Sequence, residues 1–369
     1  MSCVVRVISD QVDHAYPVLT KHKQRTIDQP EGDAVTSCNV SIIIPSCAEP
    51  YDCIPILKAI DAQVIHPLEV IIIDSSGAAF QEWAHTTEEI SIELSARLRI
   101  HSVQHVTFPG KARNIGCKLA SGEWIAFLDV NTLPAPEWLE SSITAANSSG
   151  ALGSWGSTKF QAASSFAELL RDGIYGVHAR RTLPGSVFRR SVIEAVGQFI
   201  EWVRAAEDTE WIARALTLGL PITDGPEGAI NYLGMASISP SDALHKWRRN
   251  YLASQMLQHL RFQKVIAWLA LYAMLVTLAF NWNAIAAGWQ TDSPLYIDHV
   301  TKIASLAPVW GYICVRGAWL PYRLGVPWER LFPFRFICIA SVCLLLDGTK
   351  ALAFLVGRRQ VKRCHDVKV

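Results

Sequence analysis

WIAFLDVN, residues 124–131, decides the fold. The run WIAFLD (124–129) is too short for a helix of ordinary length and reads as a strand buried on both faces. VSIIIP (40–45) and EVIIID (69–74) upstream have the same character and are rich in Ile and Val. Between them, Pro55 to Val64 reads as a helix with proline at its start. This βαβ rhythm predicts an α/β protein with a largely parallel sheet covered by helices. Such sheets bind ligands at the C-terminal ends of their strands. The three runs end in Pro45-Ser46, Asp74-Ser75 and Asp129-Val130-Asn131, so polar groups gather along that edge.

The 369 residues carry a formal net charge of +1, and 50% are hydrophobic but only 18% charged. An average soluble domain is about 25% charged. The shortfall points to a part that sits in lipid or in a very large apolar interface. Thirteen tryptophans suit a membrane interface or a sugar-binding surface. The composition excludes a disordered chain, a collagen-like repeat and a strongly basic nucleic-acid binder. Nine cysteines form no CxxC pair and no zinc spacing, so they read as reduced thiols. The N-terminus lacks the long apolar core of a cleaved signal peptide.

The apolar excess has an address. Residues 1–39 read as a polar extension and 40–240 as the α/β domain. Residues 241–264 carry His245, Lys246, Arg248, Arg249, Arg261 and Lys264 among apolar positions, as in a basic amphipathic helix on a membrane surface. The membrane region is expected over 265–357, followed by a basic tail over 358–369. Val265 to Trp289 runs without a charge and is long enough to span a hydrocarbon core of about 30 Å. Ile303–Leu320, interrupted by Arg316, and Leu331–Gly357, interrupted by Arg335 and by Asp347 to Lys350, are further candidates. Basic residues favour the cytoplasmic side. That rule predicts two full spans, with the third segment in-plane or a hairpin, and three full spans as the alternative. Asp347 and Lys350, three apart, could pair on a helix.

On the sheet edge, Asp129 and Asn131 present two oxygen-bearing side chains one residue apart. A hard divalent cation takes one or two such oxygens together with ligand phosphates, although Asp and Asn are also ordinary turn residues. Asp74 could accept from a base or a ribose, or close an Asx turn with the Ser75-Ser76-Gly77 that follows. Lys111 and Arg113 could meet phosphates, or simply be solvated. Glu207 and Asp208 open a helix, where acids suit the macrodipole. A carboxylate held there can also act as a general base toward a hydroxyl. Trp211, on the same helix face as Asp208, reads as core packing or as a platform for a sugar ring. Arg248 and Arg249 could clamp a diphosphate or lie on anionic headgroups.

In order along residues 40–230, VSIIIPSCAEP, EVIIIDSSG, GKARNIGCKLASGEWIAFLDVNTLPAPEWLE, LPGSVFRRSVIEAVGQF and AEDTEWIARALTLGLPI resemble the family 2 glycosyltransferases. The resemblance implies the GT-A fold, a Rossmann-like, mostly parallel mixed sheet with flanking helices, here followed by a C-terminal helical membrane region. It implies that Pro45, Ser46 and Glu49 frame a donor nucleotide and that Asp74, with Ser76 beside it, reads the base. Lys111 and Arg113 would approach the donor. Asp129, Val130 and Asn131 would be the DxD motif that meets ribose, diphosphate and metal, and Asp208 the base that deprotonates the acceptor. Glu207, Trp211, Arg248 and Arg249 would serve the acceptor or the diphosphate. The last DxD position is Asn131, which ligates Mg²⁺ or Mn²⁺ without charge, so metal affinity is weakened and metal can become dispensable.

The expected function is an inverting glycosyltransferase at the cytoplasmic face of the cell membrane, anchored by several spans. It would move a sugar from a nucleotide-diphosphate sugar to a hydroxyl of a lipid-linked saccharide, in cell-surface polysaccharide or glycolipid assembly. Its partners would be donor, acceptor and membrane lipids, with no nucleic acid. The alternatives are transfer to a polyprenyl phosphate and a non-catalytic scaffold that retains the fold.

Overall fold

The computed structural model describes residues 37–76, 80, 82–83, 87–104, 107–255, 274, 277–278, 280–300 and 309–366. Among them nine strands form one mixed sheet: β1 (Ser37–Ser46), β2 (His66–Asp74), β3 (Leu98–Ser102), β4 (Trp124–Phe127), β5 (Thr132–Pro134), β6 (Gly153–Phe160), β7 (Arg180–Arg189), β8 (Thr223–Asp224) and β9 (Ile230–Tyr232). The order is β3-β2-β1-β4-β7-β6-β9-β5, with β8 beside β6. β3, β2, β1 and β4 run parallel, whereas β7 is antiparallel to both β4 and β6. The chain winds outward from β1 through β2 to β3 and then returns to place β4 on the other side of β1. The switch point therefore lies between β1 and β4, where ligands of open α/β sheets bind.

Up to Gln255 the described α-helices in chain order are α1 (Ile54–Asp61), α2 (Ile92–Arg97), α3 (Pro109–Leu119), α4 (Trp138–Ser148), α5 (Ser165–Ile174), α6 (Arg190–Val196), α7 (Glu207–Thr217) and α8 (Pro240–Gln255). The expected helix at Pro55–Val64 is α1, preceded by a short 3₁₀ turn over Pro50–Cys53. Burial explains the uninterrupted Ile/Val runs. Ile42, Ile44, Val70 and Ile72 pack with Ile56, Leu57 and Ile60 of α1 on one face of the sheet. Ile43, Ile71, Ile73, Ile125 and Phe127 pack on the other. Each such side chain contributes about 1.5–3 kcal/mol by leaving water.

The end of the sheet remote from the switch-point edge is tied by Glu69. Its carboxylate accepts from Ser41 Oγ (2.7 Å), Ser121 N (2.7 Å), Ser121 Oγ (2.7 Å) and Arg99 Nη1 (2.5 Å). Burial alone would raise its pKa, but the bonds from Ser121, Ser41 and Arg99 prevail and hold it at about 2.

The described residues divide into two compact units. The first runs to Gln161 and resumes over His178–Ala236, and it holds the sheet. The second comprises Ala162–Val177 and the residues from Ser237 on, so α5 leaves the expected 40–240 domain and belongs with the C-terminal helices. Ion pairs fix it there: Glu168 and the buried Asp172 bond Arg330 and Arg335.

In the second unit, α8 continues over the expected basic segment to Gln255, and the rest of that segment lies outside the described residues. Most of 265–289 and the start of 303–320 also lie outside them. Arg335–Asp366 is one continuous helix, so the hairpin expected within 331–357 does not form. Among the described residues no helix is long and apolar enough to cross a membrane. Asp347 pairs with Arg316 Nε (2.9 Å) and Tyr312 Oη (2.9 Å) rather than with Lys350, whose ammonium lies over the Tyr251 ring. The described cysteines are free thiols.

Candidate active site

The C-terminal ends of β1, β2 and β4 carry the polar groups. Pro45 is half-buried and Ser46 buried, and the Ser46 carbonyl accepts from Ser75 N (2.9 Å) and Ser75 Oγ (3.0 Å). These bonds lock the tips of β1 and β2 together. Glu49 lies just beyond and is exposed. Asp74 ends β2 fully buried. Its Oδ1 accepts from Ser76 N (2.9 Å) and Ser76 Oγ (2.7 Å), which is an Asx turn. Its Oδ2 is buried without a hydrogen-bond partner among the described residues. An orphaned carboxylate oxygen costs stability unless a donor arrives. A base N–H or a ribose hydroxyl is such a donor.

After β4 the chain turns through Asp129-Val130-Asn131-Thr132. The buried Thr132 closes the turn: its N and Oγ1 donate to the Asp129 carbonyl (2.9 and 2.5 Å), and its Oγ1 accepts from Asp129 N (3.1 Å). Val130 is half-buried against the core, Asn131 is exposed, and the Asn131 carbonyl accepts from Leu233 N (2.8 Å). Thr132, unremarkable in the sequence, thus gives the tripeptide its shape.

Arg113 corrects the sequence reading most. It projects from α3 and is 2% exposed, not aimed at solvent as a donor-phosphate contact would be. Its Nη2 bonds Asp129 (2.8 Å) and its Nη1 bonds Glu207 (2.7 Å). The guanidinium also sits 5.7 Å from the Phe199 ring centroid. Burial opposes its charge, but Asp129, Glu207 and Asp208 raise its pKa and keep it a cation. Lys111, two residues earlier, is exposed.

Glu207 and Asp208 open α7 as expected, and they differ sharply. Glu207 is 4% exposed and engaged by Arg113, so it meets neither acceptor nor diphosphate directly. Burial and the adjacent Asp208 push its pKa up to about 7, against the pull of Arg113. Asp208 is half-buried, and its Oδ1 accepts from Thr209 N (2.7 Å). Ala206 just before them holds a left-handed backbone at φ 71°, a conformation that costs a non-glycine residue about 1–2 kcal/mol. Strain of this kind persists where surrounding structure enforces it.

The enforcing structure is the loop before α7. Asn114 of α3, buried, donates to the Phe199 carbonyl (2.9 Å) and Glu201 Oε1 (2.9 Å) and accepts from Phe199 N (2.8 Å). A Cβ at Gly110 would lie 2.1 Å from the Ile200 carbonyl oxygen, so only glycine allows the loop to lie this close to α3. The sequence had given Asn114 no role.

Trp211 is core, not a sugar platform. It is fully buried, donates through Nε1 to the Gly197 carbonyl (2.9 Å) and stacks on Phe199 with centroids 5.0 Å apart. Trp211→Ala is expected to cost about 3–5 kcal/mol of stability in urea unfolding. Arg248 and Arg249 lie on α8 in the second unit.

A divalent cation would find few ligands from the protein here. Of the two carboxylates that Arg113 bonds, Asp129 is the one that opens toward solvent, where a diphosphate would approach. Among the described residues no group of three or more His, Cys, Asp or Glu could hold a metal. The protein would therefore offer the Asp129 and Asn131 oxygens, and the diphosphate the remainder, as hard cations accept.

Residues 41–195 match the family described as Glycosyl transferase family 2. The matched stretch is less than half of the chain. The match spans Ser46, Asp74, Arg113 and Asp129 to Asn131; Glu207 and Asp208 follow it. The glycosyltransferase AglE of Haloferax volcanii is 26% identical over 201 residues, covering 50% of this chain and 63% of that relative. The chain therefore spans less than two thirds of the length of the curated relative it matches. Among solved structures, the mannosyltransferase PcManGT from Pyrobaculum calidifontis, in complex with GDP-Man and Mn²⁺, is 16% identical, with a TM-score of 0.48 and coverage of 85% of this chain and 87% of that one. TarS of S. aureus in complex with UDP-GlcNAc is 16% identical, with a TM-score of 0.40 and coverage of 87% and 91%.

Proposed function

We propose that this protein is an inverting glycosyltransferase that moves a sugar from a nucleotide-diphosphate sugar to a hydroxyl of a lipid-linked saccharide. One observation carries the reading: Asp74, Asp129 and the Glu207-Asp208 pair stand on one edge at the switch point of the sheet, in and just after the stretch that matches the family 2 glycosyltransferases. Asp74 Oδ2 would take a donor from the nucleoside. Asp129 and Asn131 would hold Mg²⁺ or Mn²⁺ against the diphosphate, where the ion would offset the charge of the leaving group. Asp208 would remove the acceptor proton as the hydroxyl attacks the anomeric carbon from the face opposite the nucleotide.

Membrane anchoring at the cytoplasmic face is part of the proposal. It is supported by the uncharged run 265–289 between the basic residues of 245–264 and the basic tail 358–363. The test is a screen of radiolabelled nucleotide sugars with a membrane lipid extract, and separately with bare polyprenyl phosphate. Label in lipid-linked saccharide supports the reading. Label on bare polyprenyl phosphate replaces the acceptor class, and no transfer with any donor favours the scaffold, which the neutral Asn131 otherwise supports.

Asn131 yields a prediction of its own. Asn131→Asp adds a charged ligand, and the Mn²⁺ concentration for half-maximal turnover is expected to fall about tenfold, equivalent to about 1.4 kcal/mol. An unchanged metal titration would place Asn131 outside the metal site.

A further inference from the structure

We propose that Arg113 is a positioning residue that couples the donor and acceptor ends of the site. The inference rests on the glycosyltransferase reading and assigns a role to a side chain that touches neither substrate. One guanidinium makes both bonds: 2.8 Å to Asp129, at the tip of β4, and 2.7 Å to Glu207, at the start of α7. Asp129 and Glu207 are 78 residues apart in the chain, and Arg113 links them within one unit.

The geometry is fixed on every side. Arg113 is 3% exposed at the side chain, Glu207 6% and Asp129 36%. The carboxylate that opens toward solvent is therefore Asp129, and the inner end of the bridge is anchored. Phe199 covers the guanidinium, and Asn114, the next residue on α3, pins the loop that carries Phe199. That loop ends in the strained Ala206, which delivers Glu207 and Asp208 to the start of α7. A shift of α7 would thus pull on Glu207, and through Arg113 on Asp129.

The consequence for transfer is geometric. Displacement at an anomeric carbon requires acceptor hydroxyl, carbon and leaving oxygen to align, and a misplacement of about 1 Å costs about 100-fold in rate. Asp129 sets the leaving-group end and Asp208 the attacking end. The planar two-armed guanidinium fixes both carboxylates at once, a task the single ammonium of lysine performs poorly.

A double-mutant cycle tests the coupling. Arg113→Gln, Glu207→Gln, the double variant and Arg113→Lys are assayed with UDP-glucose, UDP-GlcNAc and GDP-mannose plus membrane lipid extract, alongside UDP and GDP calorimetry in Mn²⁺ and thermal unfolding. Each single variant is expected to lose about 100-fold in kcat while the donor KM and the nucleotide affinity move less than about threefold. The double variant is expected to be no worse than the poorer single one, since both cut the same bridge. Arg113→Lys is expected to recover only a small part of the loss. Glu207→Gln preserves side-chain volume and keeps the test open if Arg113→Gln is poorly folded. Additive losses, or folded variants with unchanged kcat, overturn the coupling while leaving the glycosyltransferase reading intact. A wild-type chain that turns over no donor and binds neither nucleotide overturns both.

Discussion

Asp208→Asn is expected to lower transfer about 10²–10⁴-fold while nucleotide binding survives. The two acids at the start of α7 are separated by burial. Glu207 faces inward and spends its charge on Arg113, whereas Asp208 is half-buried and uses Oδ1 on the Thr209 amide. Asp208 therefore has a carboxylate oxygen to offer an acceptor hydroxyl. Asparagine keeps the shape and the bond from Thr209 but has no basic oxygen of comparable strength. The loss should fall on kcat, with the donor KM changed little, because the proton moves only during displacement. Full activity in Asp208→Asn would remove Asp208 from the mechanism, and lost nucleotide binding would place it on the donor side.

The second large effect is on stability and lies far from the chemistry. Glu69→Gln is expected to destabilise the first unit by about 2–3 kcal/mol at pH 7. The wild-type carboxylate has a folded-state pKa of about 2 against an ordinary value of 4.5, because hydrogen bonds from Ser121, Ser41 and Arg99 outweigh its burial. A depressed folded-state value means that the ionised form stabilises the fold. Its contribution is complete above about pH 4.5 and is lost as pH falls from there toward 2. At roughly 1.4 kcal/mol per pK unit the full contribution is about 3 kcal/mol. Urea unfolding of both forms at pH 7 and at pH 3 measures it, and the gap between them should shrink at the lower pH. A gap that is the same at both values would assign the loss to packing alone.

Strands β1, β2 and β4 were legible because burial on both faces leaves its mark on consecutive residues. The polar ends of those strands were legible for the same reason, since Asp74 and Asp129 stand where an apolar run stops. What the sequence hid depends on partners distant in the chain. Glu69 draws its hydrogen bonds from Ser41, Arg99 and Ser121, which lie 28, 30 and 52 positions away. Arg113 looked like a solvated base because neither Asp129 nor Glu207 is local to it. Asp347 was matched to Lys350 by helical spacing, yet Arg316 and Tyr312 from another helical segment hold it. α5 belongs to the second unit through partners more than 150 positions away: ion pairs with Arg330 and Arg335 and packing of Leu169 against the cluster of Val326, Leu331, Ile339 and Cys343.

The central claim is that a nucleoside diphosphate binds at the tips of β1, β2 and β4. Calorimetric titration of the full chain with UDP and GDP, with and without Mn²⁺, tests it most directly. The account predicts binding of at least one of them in the micromolar-to-millimolar range usual for enzyme substrates. That binding should be stronger with Mn²⁺ and weakened in Asp74→Ala. No detectable binding of either nucleotide under either condition would contradict it.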